Sequence, residues 1–171
     1  MSTIITSQSV PTGTWSADPV HSNVSFEVAY AGTNTFRGGF RDFTATLADG
    51  VLEGSAKVAS VDVKDEQLNG HLQTPDFFDA EQFPEITFRA TDLAHGELTL
   101  KGVTRPVELT GSVSEPNVDP FGRERVGIKL ETTVDRNEFG VSWNAPNQGG
   151  GNYLGDQVKL IAELAFVKQE A

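Results

Sequence analysis

Histidine is the first side chain to consider for chemistry in this sequence, because it serves as a general acid or base and as a metal ligand. The chain has three, His21, His71 and His95, and none has another histidine four residues away, the spacing of a helical ligand pair. There is no cysteine, which removes thiolate metal sites, disulfides and cysteine nucleophiles. We therefore expect hydrogen-bonded structural or surface histidines, no metal and no cofactor.

Acidic residues cluster around the phenylalanines of residues 73–88, QTPDFFDAEQFPEITF. Spacing alone does not show two carboxylates facing each other across a glycosidic bond, as glycoside hydrolysis requires. In a chain with 24 Asp and Glu residues, such a cluster is more typical of solvation and helix-end capping. A serine nucleophile is not indicated either, since the G-x-S-x-G elbow is missing from the sequence. The sequence therefore predicts a protein that is not an enzyme.

Two further segments combine polar residues with glycine. NQGGGNYLGD, residues 147–156, superficially resembles a phosphate-cradling loop, but no Lys-Ser or Lys-Thr pair follows it, so a mobile rim loop is the better interpretation. DRNEFG, residues 135–140, places Arg136 beside Asp135 and Glu138 at the end of a predicted strand. The favoured role of Arg136 is a buried ion pair that fixes a corner of the fold, and the alternative is contact with a polar head group.

The composition favours one globular domain. A chain of 171 residues, 37 % of them hydrophobic, is long enough to bury a core. Its net charge of −11 disfavours nucleic acid and anionic membranes as partners. The first residues lack the basic region and apolar run of a signal peptide, and no stretch approaches the roughly 18 apolar residues of a membrane span. We expect a cytoplasmic protein without stable membrane insertion, with residues 1–12 as a flexible segment and residues 13–171 as the domain.

Alternation of apolar and polar residues with a period of two dominates the chain. In residues 23–30, for example, Val24, Phe26, Val28 and Tyr30 share one face, which predicts an antiparallel strand with one buried side. The predicted strands span residues 13–19, 21–31, 36–48, 51–63, 84–95, 96–102, 106–115 and 123–136, with residues 156–168 as a further candidate. A short helical segment is predicted near residues 64–80. About eight antiparallel strands closed into a barrel enclose space for side chains and one small ligand, so the fold class is an all-β barrel.

Aromatic residues are predicted at both ends of this barrel. GTW, residues 13–15, is similar to the G-x-W of lipocalins, and the Trp15 ring is expected to plug one opening while its N–H reaches a carbonyl. Phe77, Phe78 and Phe83 are expected over the other opening. They either cork a solid barrel or wall the mouth of an apolar cavity, and periodicity does not decide between these alternatives.

Taken in order, these motifs resemble the YceI-like family of polyisoprenoid-binding proteins, from about Gly13 to Phe166. The resemblance rests on five segments: WSADPVHSNVSFEV, LNGHLQTPDFFDAEQFPEITF, GELTLKGVTRPVEL, DRNEFGVSWN and GDQVKLIAEL. It implies an extended lipocalin-like antiparallel β-barrel that binds or carries an isoprenoid, such as a polyprenyl phosphate or a quinone tail, with no established reaction. The alternatives are an enzyme acting on a quinone or lipid in the same pocket and a purely structural, stress-related barrel with a filled interior.

The resemblance also implies binding residues. Those expected to line or rim the cavity are Phe26, Tyr30, Phe40, Leu72, Phe77, Phe78, Phe83, Ile86, Phe88, Phe139 and Trp143. Those expected near the head group are Tyr30, His71, Arg136 and Asn144. The sequence departs from the family at Tyr30, where many members have a basic residue or histidine, and at Asn69-Gly70, where many have Arg-Asp. An exposed barrel side leaves room for a homodimer.

Overall fold

The computed structural model of this protein describes residues 2–4 and 11–169. Within them the chain forms fourteen strands, one α-helix and two short 3-10 helices. The strands are β1 Ser2–Ile4, β2 Thr14–Ala17, β3 Asn23–Tyr30, β4 Asn34–Phe40, β5 Phe43–Ala48, β6 Val51–Lys57, β7 Val61–Asp62, β8 Glu85–Ala90, β9 His95–Leu100, β10 Val103–Glu108, β11 Thr110–Ser114, β12 Asn117–Val118, β13 Glu124–Asp135 and β14 Leu154–Lys168. The helices are α1 Glu66–Leu72 and the 3-10 helices Val58–Ser60 and Arg136–Phe139. The predicted all-β class with one short helix is confirmed.

The predicted number of strands, about eight, is wrong because several predicted strands are interrupted. Residues 36–48 contain the two strands β4 and β5, and residues 51–63 are divided by the 3-10 helix into β6 and β7. Residues 106–115 include the end of β10 and all of β11, which have different neighbours. The buried positions shift by one residue at the first two interruptions, from Phe40 to Phe43 and from Val58 to Val61, whereas alternation continues through Leu109 at the third.

The strands form one antiparallel sheet in the order β1-β11-β13-β14-β2-β5-β6-β8-β9-β10, with β3, β4, β7 and β12 beside this path. The long strand β14 pairs with β13 on one side and with β3 and then β2 on the other. Among the described residues the ladder does not close, since β10 pairs with β9 and β11 pairs with β13. The closed barrel that the sequence predicted is therefore wrong: β10 and β11 follow each other along the backbone at Leu109 but do not pair with each other.

Side chains point inward as the alternation predicts. Val126, Ile128 and Leu130 of β13 are buried, while the residues between them are more exposed. On β3, Phe26 lies opposite Gly38 of β4 in the register. A Cβ at Gly38 would come within 2.5 Å of Phe26 Cζ, so glycine at this position makes room for an inward-facing ring.

Large side chains fill one end of the rolled sheet, which we call the Trp15 end. Leu47 and Phe166 are both 0 % exposed, and the Trp15 ring is buried beside them. The Trp15 Nε1–H donates to the carbonyl of Thr12 at 2.9 Å, so the ring closes this end without an unpaired donor.

Arg125 ties together the loops that surround the Trp15 end. Its Nε donates to Asp119 at 2.7 Å and its Nη1 donates to Asp18 at 3.1 Å, which joins two loops far apart in sequence. His21 Nδ1 lies 2.7 Å from the same Asp18 carboxylate. The hydrogen bond from His21, together with the contacts from Val20 and Arg125, lowers the pKa of Asp18 from 3.8 to about 2, although burial opposes the shift.

Candidate functional site

An apolar cavity of about 480 Å³ occupies the interior of the rolled sheet. Strands contribute alternate side chains to it, such as Val24 and Val28 of β3 and Leu160 and Ala162 of β14. Within the described part of the chain its lining stops short of Trp15, so the packed end closes it. A volume of this size and an apolar wall suit a small lipophilic ligand.

The opposite end, which we call the α1 end, is covered by α1 and the phenylalanine loop that follows it. Asp65 caps the helix by accepting from the backbone N–H groups of Gln67 and Leu68, at 2.8 and 3.2 Å. The loop is folded by its own backbone, since the Thr74 carbonyl accepts from Phe77 N–H and from Asp79 N–H, both at 2.9 Å. These bonds hold an irregular, proline-containing segment against the cavity.

Phe77 and Phe78 both pack against the core and border the cavity. Phe77 is only 6 % exposed and Phe78 is partly buried against the core, so both rings pack against the fold. Both also line the cavity, and the Phe78 ring lies edge-on to Phe40 with 5.8 Å between centroids. They cover an open cavity and do not cork a solid barrel.

Five rings form an aromatic cluster at the α1 end: Tyr30, His71, Phe77, Trp143 and Tyr153. Trp143 is central, with its ring centroid 5.0 Å from that of His71, 5.5 Å from that of Phe77 and 6.3 Å from that of Tyr153. The Tyr30 and Tyr153 centroids are 4.9 Å apart. Such tilted and edge-on contacts stabilise the positions of the rings, so the cluster forms a defined surface at the α1 end.

Two polar contacts involve the aromatic cluster. The Tyr153 hydroxyl donates to the Tyr30 hydroxyl at 3.1 Å, and this bond, aided by burial, raises the pKa of Tyr153. His71 Nε2 lies 3.0 Å from Asp76 Oδ2. The cluster therefore presents uncharged hydroxyls and a histidine whose positive charge, when protonated, is matched by a carboxylate.

Arg136 lies buried where β13 ends. Its Nε donates to the carbonyl of Gly155 at 2.8 Å, and its Nη1 donates to the carbonyls of Val141 and Trp143 at 2.7 and 2.9 Å. Burial lowers the pKa of Arg136, while the nearby carboxylates of Asp156 and Asp135 act in the opposite direction. Arg136 thus fixes a corner of the fold, but through carbonyl groups and not through the ion pair that the sequence favoured.

Each histidine lies beside an aspartate that is close in sequence. The pairs are His21 with Asp18, His71 with Asp76 and His95 with Asp92, at 2.7, 3.0 and 3.4 Å. In the described ranges no group of three His, Cys, Asp or Glu side chains is arranged to hold a metal ion. The described part of the chain also has no helix that is both long and apolar enough to cross a membrane.

Most of the predicted binding residues meet at the cavity. Those in its lining are Phe26, Tyr30, Phe40, His71, Leu72, Phe77, Phe78, Ile86, Phe88, Arg136 and Trp143. The strand faces chosen from alternation are therefore the inward ones. Contact of these residues with a ligand stays a prediction.

Three predicted residues, Phe83, Phe139 and Asn144, are not part of the described cavity lining, and their contact with a ligand stays a prediction. Phe83 packs on the β9–β10 turn, where a Cβ at Gly102 would come within 2.6 Å of its ring. Phe139 is a buried core side chain of the 3-10 helix. Asn144 fixes a loop, since its Nδ2 donates to the Leu154 carbonyl at 2.8 Å and its Oδ1 accepts from Leu154 N–H at 2.9 Å.

Sequence reasoning missed Tyr153 and most of the lining from β14. Tyr153 belongs to the segment interpreted as a mobile rim loop, although it is the aromatic residue of that segment and lies directly before a strand. Val158, Leu160 and Ala162 are spaced two residues apart, and this period-two pattern could have identified them.

The sequence profile of the YceI-like domain matches residues 15–166 of this chain. The chain belongs to the YceI-like family. Among its curated relatives, the UPF0312 protein of Staphylococcus aureus strain USA300 is 29 % identical over 164 residues, covering 87 % of this chain and 94 % of the relative.

Three solved structures have a similar fold. Burkholderia cenocepacia BcnA superposes with a TM-score of 0.70 at 20 % identity, covering 87 % of this chain and 98 % of that one. A polyisoprenoid binding domain from Saccharophagus degradans gives a TM-score of 0.74 at 14 % identity, covering 91 % of this chain and 98 % of that one. The Campylobacter jejuni YceI protein gives 0.63 at 24 % identity, covering 78 % and 85 %. At these identities the likeness is one of fold.

Proposed function

We propose that this YceI-like protein binds and carries a lipophilic isoprenoid, of the polyprenyl phosphate or isoprenoid quinone type, in its interior. The observation that supports this most directly is the apolar cavity of about 480 Å³ that ends at the Trp15 end and is covered by aromatic rings at the α1 end. Each CH₂ group that moves from water into such a cavity contributes about 0.8 kcal/mol, so a branched hydrocarbon tail needs no charged partner along its length.

Shape also supports an elongated apolar ligand. The lining runs from Leu52 and Leu98, in the middle of the sheet, to Tyr30 and Tyr153 at the α1 end. Tyr30, His71, Arg136 and Tyr153 place polar groups at the α1 end of the lining, which suits a molecule with a long apolar tail and one polar end. The structurally similar protein from Saccharophagus degradans is a polyisoprenoid binding domain.

Native mass spectrometry of the protein purified from its host tests the proposal first. We expect a complex with a lipid that organic solvent releases and that fragmentation identifies as an isoprenoid. A protein that is fully loaded with an unbranched fatty acid, or that carries nothing and takes up no prenyl compound, would contradict the proposal.

Binding of geranylgeraniol to the delipidated protein provides a second test with a matched pair of variants. Ala162→Phe places a ring inside the cavity, whereas Ala29→Phe places the same ring on the exposed face of β3. We expect Ala162→Phe to weaken binding by about tenfold or more, because it removes volume from the cavity, and Ala29→Phe to leave binding unchanged. Equal binding by both variants would show that the ligand lies outside the cavity.

A further inference from the structure

Lys101 joins the phenylalanine loop to the rest of the protein. Among the described residues, the hydrogen bonds of this loop, residues 73–83, stay within the loop or run to α1, with one exception. That exception is the bond that Lys101 Nζ donates to the Pro75 carbonyl. The same Nζ donates to the Gly140 carbonyl at 3.2 Å. The ammonium group therefore ties the loop to the corner that follows the second 3-10 helix.

The backbone at Lys101 is unfavourable for a lysine. The β9–β10 turn consists of Lys101 and Gly102, with φ angles of 52° and 77°. The β5–β6 turn has the same pair of positive φ angles, 52° and 80°, at Asp49 and Gly50. Asn, Asp and Gly adopt such angles most readily, so lysine lowers the stability of its turn. A strained residue that persists in a fold points to a role for its side chain.

Ligand exchange requires the phenylalanine loop to move. Phe77 and Phe78 border the cavity from this loop, and the Trp15 end is filled. The bonds inside the loop and to α1 preserve its shape, so the two can move as a unit. We propose that Lys101 is a positioning residue that holds this unit closed over the cavity and thereby limits the rate at which a ligand enters and leaves. The inference goes beyond the proposed function and rests on it only in requiring an apolar ligand in the cavity.

The contact of Lys101 should affect rates more than affinity. Lys101 is not part of the described cavity lining, and both of its acceptors are backbone carbonyls of the protein. Its loss therefore favours the open loop to the same extent in the empty and the occupied protein. Association and dissociation then accelerate by the same factor, and the dissociation constant stays nearly constant.

Lys101→Asn tests the inference, because asparagine removes the ammonium group and suits the positive φ. The probe is N-phenyl-1-naphthylamine, an uncharged fluorescent molecule, mixed with the delipidated full-length protein in a stopped-flow instrument. Both rate constants should rise about tenfold, the effect of one hydrogen bond from a charged donor, while the dissociation constant changes less than about twofold.

Asp49→Asn is the matched control. It places the same Asn-Gly pair in the same kind of turn, but at the Trp15 end, where the neighbouring register pair joins Trp15 to Leu47. Neither rate constant should change in this variant. Circular dichroism establishes that both variants are folded.

Trp143 reports the position of the loop without any ligand. Its ring lies 5.0 Å from that of His71 on α1 and 5.5 Å from that of Phe77, between centroids, so an opening loop uncovers it. The other tryptophan, Trp15, is only 3 % exposed. Quenching of the fluorescence by acrylamide should therefore increase in Lys101→Asn and stay unchanged in Asp49→Asn.

Unchanged rate constants and unchanged quenching in a folded Lys101→Asn protein would overturn the inference. Faster dissociation with unchanged association would also overturn it, since that pattern belongs to a contact that stabilises only the occupied state. A protein that binds the probe but no isoprenoid would contradict the proposed function, and the rates would still test the inference. If the probe does not bind either, the quenching of Trp143 decides.

Discussion

The two ends of the rolled sheet contain similar kinds of side chain but use them differently. At the Trp15 end, Leu47 and Phe166 are completely buried and leave no continuation of the cavity within the described residues. At the α1 end, Phe77 and Trp143 are held against each other and against His71, yet their rings border open space. Aromatic content alone therefore does not distinguish a core from a binding site.

The difference lies in what holds the rings in place. At the Trp15 end, strands pair on both sides and interior side chains fill the volume between them. At the α1 end, a seven-residue helix and an irregular loop replace the strands. Short connections of this kind cannot fill the interior completely, and the space that they leave is the cavity. Packing at one end supplies stability, and incomplete packing at the other supplies a site.

The largest effect is expected from Phe166→Ala at the Trp15 end. Loss of a fully buried ring should reduce the free energy of unfolding by about 3–5 kcal/mol, as measured by urea-induced unfolding of the delipidated protein. Phe121→Ala is the control, because this ring is 81 % exposed and its loss should change stability by less than about 0.5 kcal/mol. Similar stabilities for the two variants would mean that the Trp15 end is not a packed core.

A smaller loss of stability is expected from Phe77→Ala at the α1 end. We expect about 2 kcal/mol, because one side of this ring faces the cavity and has fewer atoms to lose contact with. Affinity for geranylgeraniol should fall by about tenfold in the same variant. Phe83→Ala is the matched control, since Phe83 packs nearby but outside the lining, and it should lower stability without changing affinity. Equal affinity losses in both variants would contradict the distinction between wall and core.

The smallest effect concerns acid and belongs to the Trp15 end. Folding lowers the pKa of Asp18, so its stabilising contribution is fully present above the unfolded value of 3.8 and is lost as the pH falls through about 2. The hydrogen bonds that lower the pKa of Asp119 give it the same sign. Asp18→Asn should therefore reduce the difference in urea midpoint between pH 6 and pH 2.5. An unchanged difference would show that the contacts with His21 and Arg125 contribute nothing to acid stability.

Alternation was sufficient to predict the all-β class and the inward faces of β3, β8 and β13, since period two records which side of a strand is buried. It did not predict the open ladder, because the change of neighbours at Leu109 depends on the curvature of the whole sheet and leaves no local signal. The positions of Phe83 and Phe139 were missed for a related reason. Both lie outside regular strands, where periodicity does not indicate direction.

Among the polar residues, the residue type was enough to predict that Arg136 fixes a corner of the fold. It did not identify the groups that Arg136 contacts. Carbonyls of Gly155, Val141 and Trp143 surround it, and carbonyl groups are identical in every residue of the sequence. For Tyr153, in contrast, the neighbouring residues in the sequence led to a wrong interpretation. Its neighbours are glycines, which suggested mobility, while its backbone is fixed by bonds to Ala31 and Ala145.

If the protein carries an isoprenoid as proposed, the filled Trp15 end determines how the ligand enters and leaves. Because that end is apolar and sealed by Trp15 and Phe166, a molecule with one polar end can occupy the cavity in one direction, tail first. In the proposed carrier the head group would then emerge beneath α1, and loading and release would both use that end. Exchange would be sequential, with the dissociation of the first molecule limiting the binding of the second.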